Sequence, residues 1–185
     1  MNITVYCASS LGHDPDFAQE TRKLGAWIGA HRHTLVYGGT NVGLMGLLSD
    51  VVLDAGGRVV GVLPDILADR EPPSGRLTEF YRVETMAQRK AKMIELGDVF
   101  IALPGGPGTF EELSEIMSLV KLGTPPGYLF LLNVNGYYDE LVASFERMLE
   151  HGFMTPEMRS YLEVAASVDE LAAALSVMGR GSARP

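Results

Sequence analysis

The sequence predicts an α/β fold in which helices cover both faces of a doubly wound parallel sheet. Two observations carry that prediction. Short apolar runs, of the kind that form strands buried on both faces, alternate with segments of helical period. Loops rich in glycine or hydroxyl groups follow several of these runs, on the rim where open α/β sheets bind their ligands.

The first strand is ITVYCA, beginning at Ile3. Asp14 and Pro15 supply an N-cap and a first helical residue for a helix reaching about Ala30. TLVY is the second strand, GLMGLLSDVVLDAGG a helix stopped by Gly56 and Gly57, and RVVGVLP a third strand ending at Pro64. Residues 65–82, with Pro72, Pro73 and Gly75, read as one long irregular loop, a feature that compact domains keep for function or leave disordered. ETMAQRKAKMIEL is a helix and VFIAL a strand; after the turn PGGPGTFEE a helix runs to about Leu122. YLFLLN is a further strand and YYDELVASFERMLEHG a further helix. No repeat or linker divides the chain, so residues 1–178 read as one domain and 179–185, GRGSARP, as a disordered tail.

Composition excludes several classes. A charged fraction of 21% and a hydrophobic fraction of 46% are those of a globular protein. The net charge of −8 offers no basic excess for a nucleic-acid partner. The single cysteine, Cys7, lies in an apolar run, which suits a buried structural thiol in a reducing compartment. No apolar run approaches a membrane span and the start shows no basic leader, so a soluble, cytoplasmic chain is expected.

Two glycine-rich segments stand out. YGGTNVGLMG would let backbone approach a ligand closely, or would equally make a tight strand-to-helix turn. The first strand's loop lacks G-x-G-x-x-G and no Gly-Lys-Ser/Thr follows a glycine loop, so nicotinamide cofactors and ATP lose support. In PGGPGTFEE, Gly105, Gly106 and Gly108 can present successive amide N–H groups to a phosphate. Thr109 and Glu112 also fit a capping box, which explains Glu112 structurally as well as catalysis does. Arg89 and Lys90 fall on a helix returning from the long loop to the ligand rim, while Met86 and Met93 suit a core stripe. The histidines are scattered and no ligand set has metal spacing, so neither a metal nor a cofactor is expected.

Taken together, YGGTNVGLMG, MAQRKAKM, PGGPGTFEEL and LLNVNGYYDELV closely resemble the LONELY GUY (LOG) family, cytokinin riboside 5′-monophosphate phosphoribohydrolases also labelled "possible lysine decarboxylase". The family hallmark P-G-G-x-G-T-x-x-E is met at every fixed position from Pro104 to Glu112. The resemblance implies a Rossmann-like fold, a homodimer with sites near the subunit interface, and cleavage of a purine nucleoside 5′-monophosphate to free base and ribose 5-phosphate. It implies Arg89 and Glu112 as catalytic, and Lys90, Gly105, Gly106, Gly108 and Thr109 as substrate-binding. Glu71 and Ser118 align less closely with substrate contacts, and Ser9 and Gly39, in the rim loops, complete the set.

Three positions depart from the family pattern: Thr40 for a glycine, Ala87 for a histidine and Leu119 for a tryptophan. Ala87 and Leu119 are expected to reshape the base pocket while the chemistry persists. The alternatives are an AMP nucleosidase without a cytokinin role and a non-catalytic nucleotide-binding module. A pyridoxal-dependent lysine decarboxylase finds no marked lysine.

Overall fold

The computed structural model describes residues 1–68 and 74–178. Glu71 and the expected tail lie outside the described residues. The elements run β1 (Asn2–Tyr6), α1 (Pro15–Ala30), β2 (Thr34–Tyr37), α2 (Gly43–Asp54), β3 (Arg58–Pro64), α3 (Asp65–Ala68), β4 (Glu79–Val83), α4 (Met86–Leu96), β5 (Val99–Ala102), α5 (Pro107–Lys121), β6 (Leu129–Leu132), α6 (Asp139–Glu150), α7 (Pro156–Arg159), β7 (Leu162–Ala165) and α8 (Val168–Met178). A 3₁₀ turn, Val134–Gly136, precedes α6.

All seven strands pair in parallel in the order β4-β3-β2-β1-β5-β6-β7. The chain builds outward from β1 in one direction, then returns to β1 and builds outward in the other. The crevice at the reversal, beyond the carboxyl ends of β1 and β5, is where such sheets bind ligands. Alternate residues of β1 serve opposite cores. Ile3 and Val5 pack with Leu24 and Ile28 of α1, Leu48 and Val52 of α2, and Leu171 and Leu175 of α8. Tyr6 faces the other way, with Met93 of α4, Leu113 and Ile116 of α5, and Phe145 of α6. This period of two, with apolar residues on both faces, is what a central parallel strand requires.

Local signals set the helix starts. Asp14 caps α1 by accepting from the N–H of Asp16 at 2.9 Å, with Pro15 next. Thr85 and Gln88 form a reciprocal capping box on α4. In α5 the N-cap is Gly106, with Pro107 in the first turn and no side-chain cap. The expected Thr109–Glu112 capping box is therefore absent, because the helix begins earlier than that spacing assumes. Glu112 lies beyond the first turn, where it has no orphan N–H to satisfy.

The segment read as one irregular loop holds α3 and strand β4. EFYRV escapes notice because it is an edge strand: its residues are exposed or half-buried, and the charged Glu79 and Arg82 interrupt the apolar run. At the opposite edge β7 is buried only at its two ends, Leu162 and Ala165, and α7 and α8 flank it after the last element the sequence pattern assigns. Among the described residues, no helix is long and apolar enough to cross a membrane.

Candidate active site

At the reversal point the chain leaves β5 through Leu103 and Pro104 and turns at once into α5. Tyr137 and Tyr138 strap this turn. The Tyr137 hydroxyl donates to the Gly105 carbonyl at 2.5 Å, and the buried Tyr138 hydroxyl donates to the Leu103 carbonyl at 2.6 Å. Thr109 is buried behind the turn, and a Cβ on Gly105 would collide with its side chain. Gly106 and Gly108 differ: a Cβ on either would project into open space. Gly105 is thus required by packing, whereas Gly106 and Gly108 keep a ligand-facing surface bare. The unpaired N–H groups of the first turn of α5 point the helix's positive end toward that space.

That space is a pocket of about 320 Å³ lined by Cys7, Ala8, Ser9 and Ser10 after β1, and by Met45, Leu67, Met86 and Arg89 from neighbouring elements. Residues 106–109, Glu111 and Glu112 of the α5 turn close it. A smaller cavity of about 230 Å³, with Leu11, Phe17, Leu44 and Tyr137 in its wall, adjoins it and shares Ala8, Ser10 and Gly106.

Arg89 and Glu112 meet in this pocket. Arg89 is 8% exposed and Glu112 7%, and Nη1 of the arginine lies 3.2 Å from Oε1 of the glutamate. Nε of Arg89 donates to the Val62 carbonyl at 3.2 Å, anchoring the guanidinium to the end of β3. Gly38 supplies the room: a Cβ there would run into the guanidinium. Added Cβ atoms at Gly39, Gly43 and Gly46 would likewise meet protein backbone, so close packing within the chain uses these glycines too. Gly39, with φ +84°, lies outside the pocket and its carbonyl accepts from Ser74 N–H.

Burial dominates the electrostatics of Glu112. Desolvation pushes its pKa up to about 7; Arg89 pulls it down and Glu111 adds to the rise. A carboxyl group poised at neutrality can both take and return a proton near physiological pH. The Cys7 thiol is pushed well above its ordinary range by burial, which makes it inert as a nucleophile. Tyr6, beneath the pair, is likewise raised by burial and then by Glu112.

Other expected residues lie differently. Lys90 does not line the pocket; its Nζ is held by Glu111 Oε1 at 2.8 Å and Glu115 Oε2 at 3.0 Å. Ser118 is exposed, donates to the Ser114 carbonyl at 2.8 Å, and stands well along α5 from the pocket. Ala87 and Leu119 are not among the described residues that line this pocket. Thr40 is fully buried with its hydroxyl 3.7 Å from the Met45 sulfur, and so supports one pocket wall from behind. Sequence reasoning missed Ser10, Met45, Leu67 and Glu111, and read Met86 as core. Met86 had a usable signal, since the residue after the Thr85 N-cap begins α4 at the rim.

The fold and the glycine turn place the chain among the Rossmann-like α/β proteins. Comparison with known proteins narrows that class. The family model described as "possible lysine decarboxylase" matches residues 45–175. The cytokinin riboside 5′-monophosphate phosphoribohydrolase of Rhodococcoides fascians is 42% identical over 175 residues, 94% of this chain and 88% of that protein. The Arabidopsis thaliana enzyme LOG1, of the same name, is 41% identical over 169 residues, 91% of this chain and 79% of its own. The chain belongs to the LOG family. Among solved structures, the Moco carrier protein of Chlamydomonas reinhardtii superimposes with a TM-score of 0.72 at 21% identity, covering 98% of both chains. The molybdenum cofactor binding protein of Rippkaea orientalis gives 0.70 at 21% identity, over 96% of this chain and 94% of that one. These two likenesses show a shared fold.

Proposed function

We propose that this protein hydrolyses the N-glycosidic bond of purine nucleoside 5′-monophosphates, either N6-modified adenine nucleotides or AMP, to the free base and ribose 5-phosphate. The observation that carries the reading is the buried Arg89–Glu112 pair, set in a pocket that the bare glycine turn of α5 also lines. Relatives named for this reaction, 42% and 41% identical to the chain, support it.

In this reading the phosphate docks on the N–H groups of the α5 turn with Ser9 and the Thr109 region, which need no counter-charge beside Glu112. Holding the phosphate fixes the ribose beside the carboxylate. As the C1′–N bond breaks, its electron pair leaves with the purine and C1′ gains oxocarbenium character. Ionised Glu112 stabilises that charge and takes a proton from the attacking water, whose oxygen bonds to C1′; the proton is then passed to the departing base. Arg89 holds the carboxylate in place and offers its remaining N–H groups to the substrate. Lys90, tied to two carboxylates, serves the site from its rim.

A lysine decarboxylase finds no lysine among the residues lining the pocket. The homodimer carried by the family reading is supported by exposed apolar surface, where Phe153 is 76% exposed beside a cleft of about 700 Å³ lined by Val120, Met158 and Tyr161. The free, buried Cys7 thiol is compatible with the cytoplasm. The experiment is incubation with AMP and with N6-isopentenyladenosine 5′-monophosphate, followed by chromatography of the free base. Release of base from either supports the proposal, and a folded protein that releases none from either refutes it.

A further inference from the structure

Two ion pairs join α4 to α5 side by side. Inside the pocket is Arg89–Glu112; at its rim the next residue of α4, Lys90, meets the preceding residue of α5, Glu111. The rim cluster is unequal in exposure. The Lys90 side chain is 16% exposed and that of Glu111 58%, while Glu115 Oε2 is shut off from solvent and has Lys90 Nζ as its neighbour at 3.0 Å. Lys90 therefore compensates a buried carboxylate oxygen on one side and a pocket-lining carboxylate on the other.

We infer that Glu111 is a positioning residue: with Glu115 it holds Lys90 against α5 at the pocket rim, and these three charges set the electrostatic surroundings in which Glu112 works. The inference rests on the hydrolase reading of Glu112. Among the described residues, the charged and titratable groups around Glu112 are Arg89 and Lys90 from α4, Glu111 and Glu115 from α5, and Tyr6 and Cys7 from the end of β1. Within this set Glu111 and Glu115 favour the protonated form of Glu112, while Arg89 and Lys90 favour the ionised form. Because the two members of the rim pair carry opposite charge, removing one or the other should move Glu112 in opposite directions. A pair serving only as a mechanical strap would respond alike to the loss of either partner.

The test uses Glu111→Gln, Lys90→Met and the double variant. The Glu112 carboxyl is titrated by carbon-13 NMR without substrate, its signal identified by its loss in Glu112→Gln, and the pH profile of kcat/KM for base release is recorded alongside. Glu111→Gln should lower the Glu112 midpoint by about half a unit, Lys90→Met should raise it by about as much, and the double variant should return close to the parent. The acid limb of the kcat/KM profile should move with each midpoint. Shifts of the same sign, or an unmoved midpoint with equal losses of activity, would overturn the inference. Opposed midpoints with no base released by any form would support the electrostatic role and overturn the hydrolase reading instead.

Discussion

Replacing Glu112 by Gln separates chemistry from stability, because the structure makes the two effects opposite in sign. The carboxyl is nearly fully buried and burial pushes its pKa up to about 7, against 4.5 for a glutamate in the unfolded chain. A group whose folded pKa is raised contributes stability that is complete below the unfolded pKa and lost as pH climbs through the folded one. Integrating between those two values, wild-type stability falls by about 2.5 kcal/mol from pH 5 to pH 8 on account of this side chain. Glutamine keeps the shape and an oxygen for Arg89 but does not titrate, so its variant escapes that loss. Relative to wild type, the variant should gain about 5–10 °C in melting temperature at pH 8 over its difference at pH 5. Turnover at pH 8, where Glu112 is ionised, should meanwhile fall by about 10²–10⁴-fold, the range associated with losing an acid–base group. Urea melts at both pH values and a base-release assay read the two effects. Parallel stability curves for the two proteins would refute the buried, neutral-pH titration assigned to Glu112, and undiminished turnover would remove it from the mechanism.

Other perturbations follow from the same geometry. Arg89→Ala should abolish turnover and leave Glu112 buried without its partner; its pKa then rises further, so the destabilisation grows with pH above 7, toward about 3 kcal/mol. Thermal melts at pH 6 and 8 check that slope. Gly38→Ala puts a methyl group into the Arg89 guanidinium and should cost about 1–3 kcal/mol while lowering kcat at least tenfold, measured by melting and base release. Tyr138→Phe leaves the Leu103 carbonyl without its donor, with a loss of about 1–2 kcal/mol and a raised KM as the glycine turn loosens, measured by urea melts and by base release at varied substrate concentration.

Much of this architecture is legible in the sequence because the central strands are apolar on both faces and helices α1 and α4 carry explicit caps. Asp14-Pro15 marks the start of α1, and Thr34–Tyr37 and Arg58–Pro64 match their strands. Edge elements are less visible. β4 has no buried residue, and β7 carries Glu163 and an exposed Val164 between its buried ends, so neither reads as the continuous buried run of a central strand. The pairing of Arg89 with Glu112 has no signature in spacing, since they lie on different helices and meet only because β3, α4 and α5 converge at the reversal of the sheet. The role of Glu111 was hidden for a similar reason: its partner Lys90 is 21 residues away on another helix. Thr109 and Glu112 misled in the other direction. Their spacing fits a capping box, but the helix starts at Pro107, and a pattern of two residues cannot locate its own first turn.

The placement of Glu112 beyond that first turn decides how the site should be understood. A glutamate capping α5 would be an exposed acceptor, kept ionised by backbone N–H groups, with its pKa held down. Instead the side chain is withdrawn into the pocket, where burial opposes its charge and Arg89, with Lys90 at the rim, offsets only part of that cost. Such an arrangement is a poor way to stabilise a fold, because a buried ion pair rarely outweighs the desolvation of both partners. It does give a carboxyl group that ionises at working pH beside a surface of bare glycines and free N–H groups. The cost in stability is located where the α5 turn, the ends of β1 and β3, and the rim carboxylates all converge, and this local conflict within an otherwise consistent fold is the physical mark of a site kept for its chemistry.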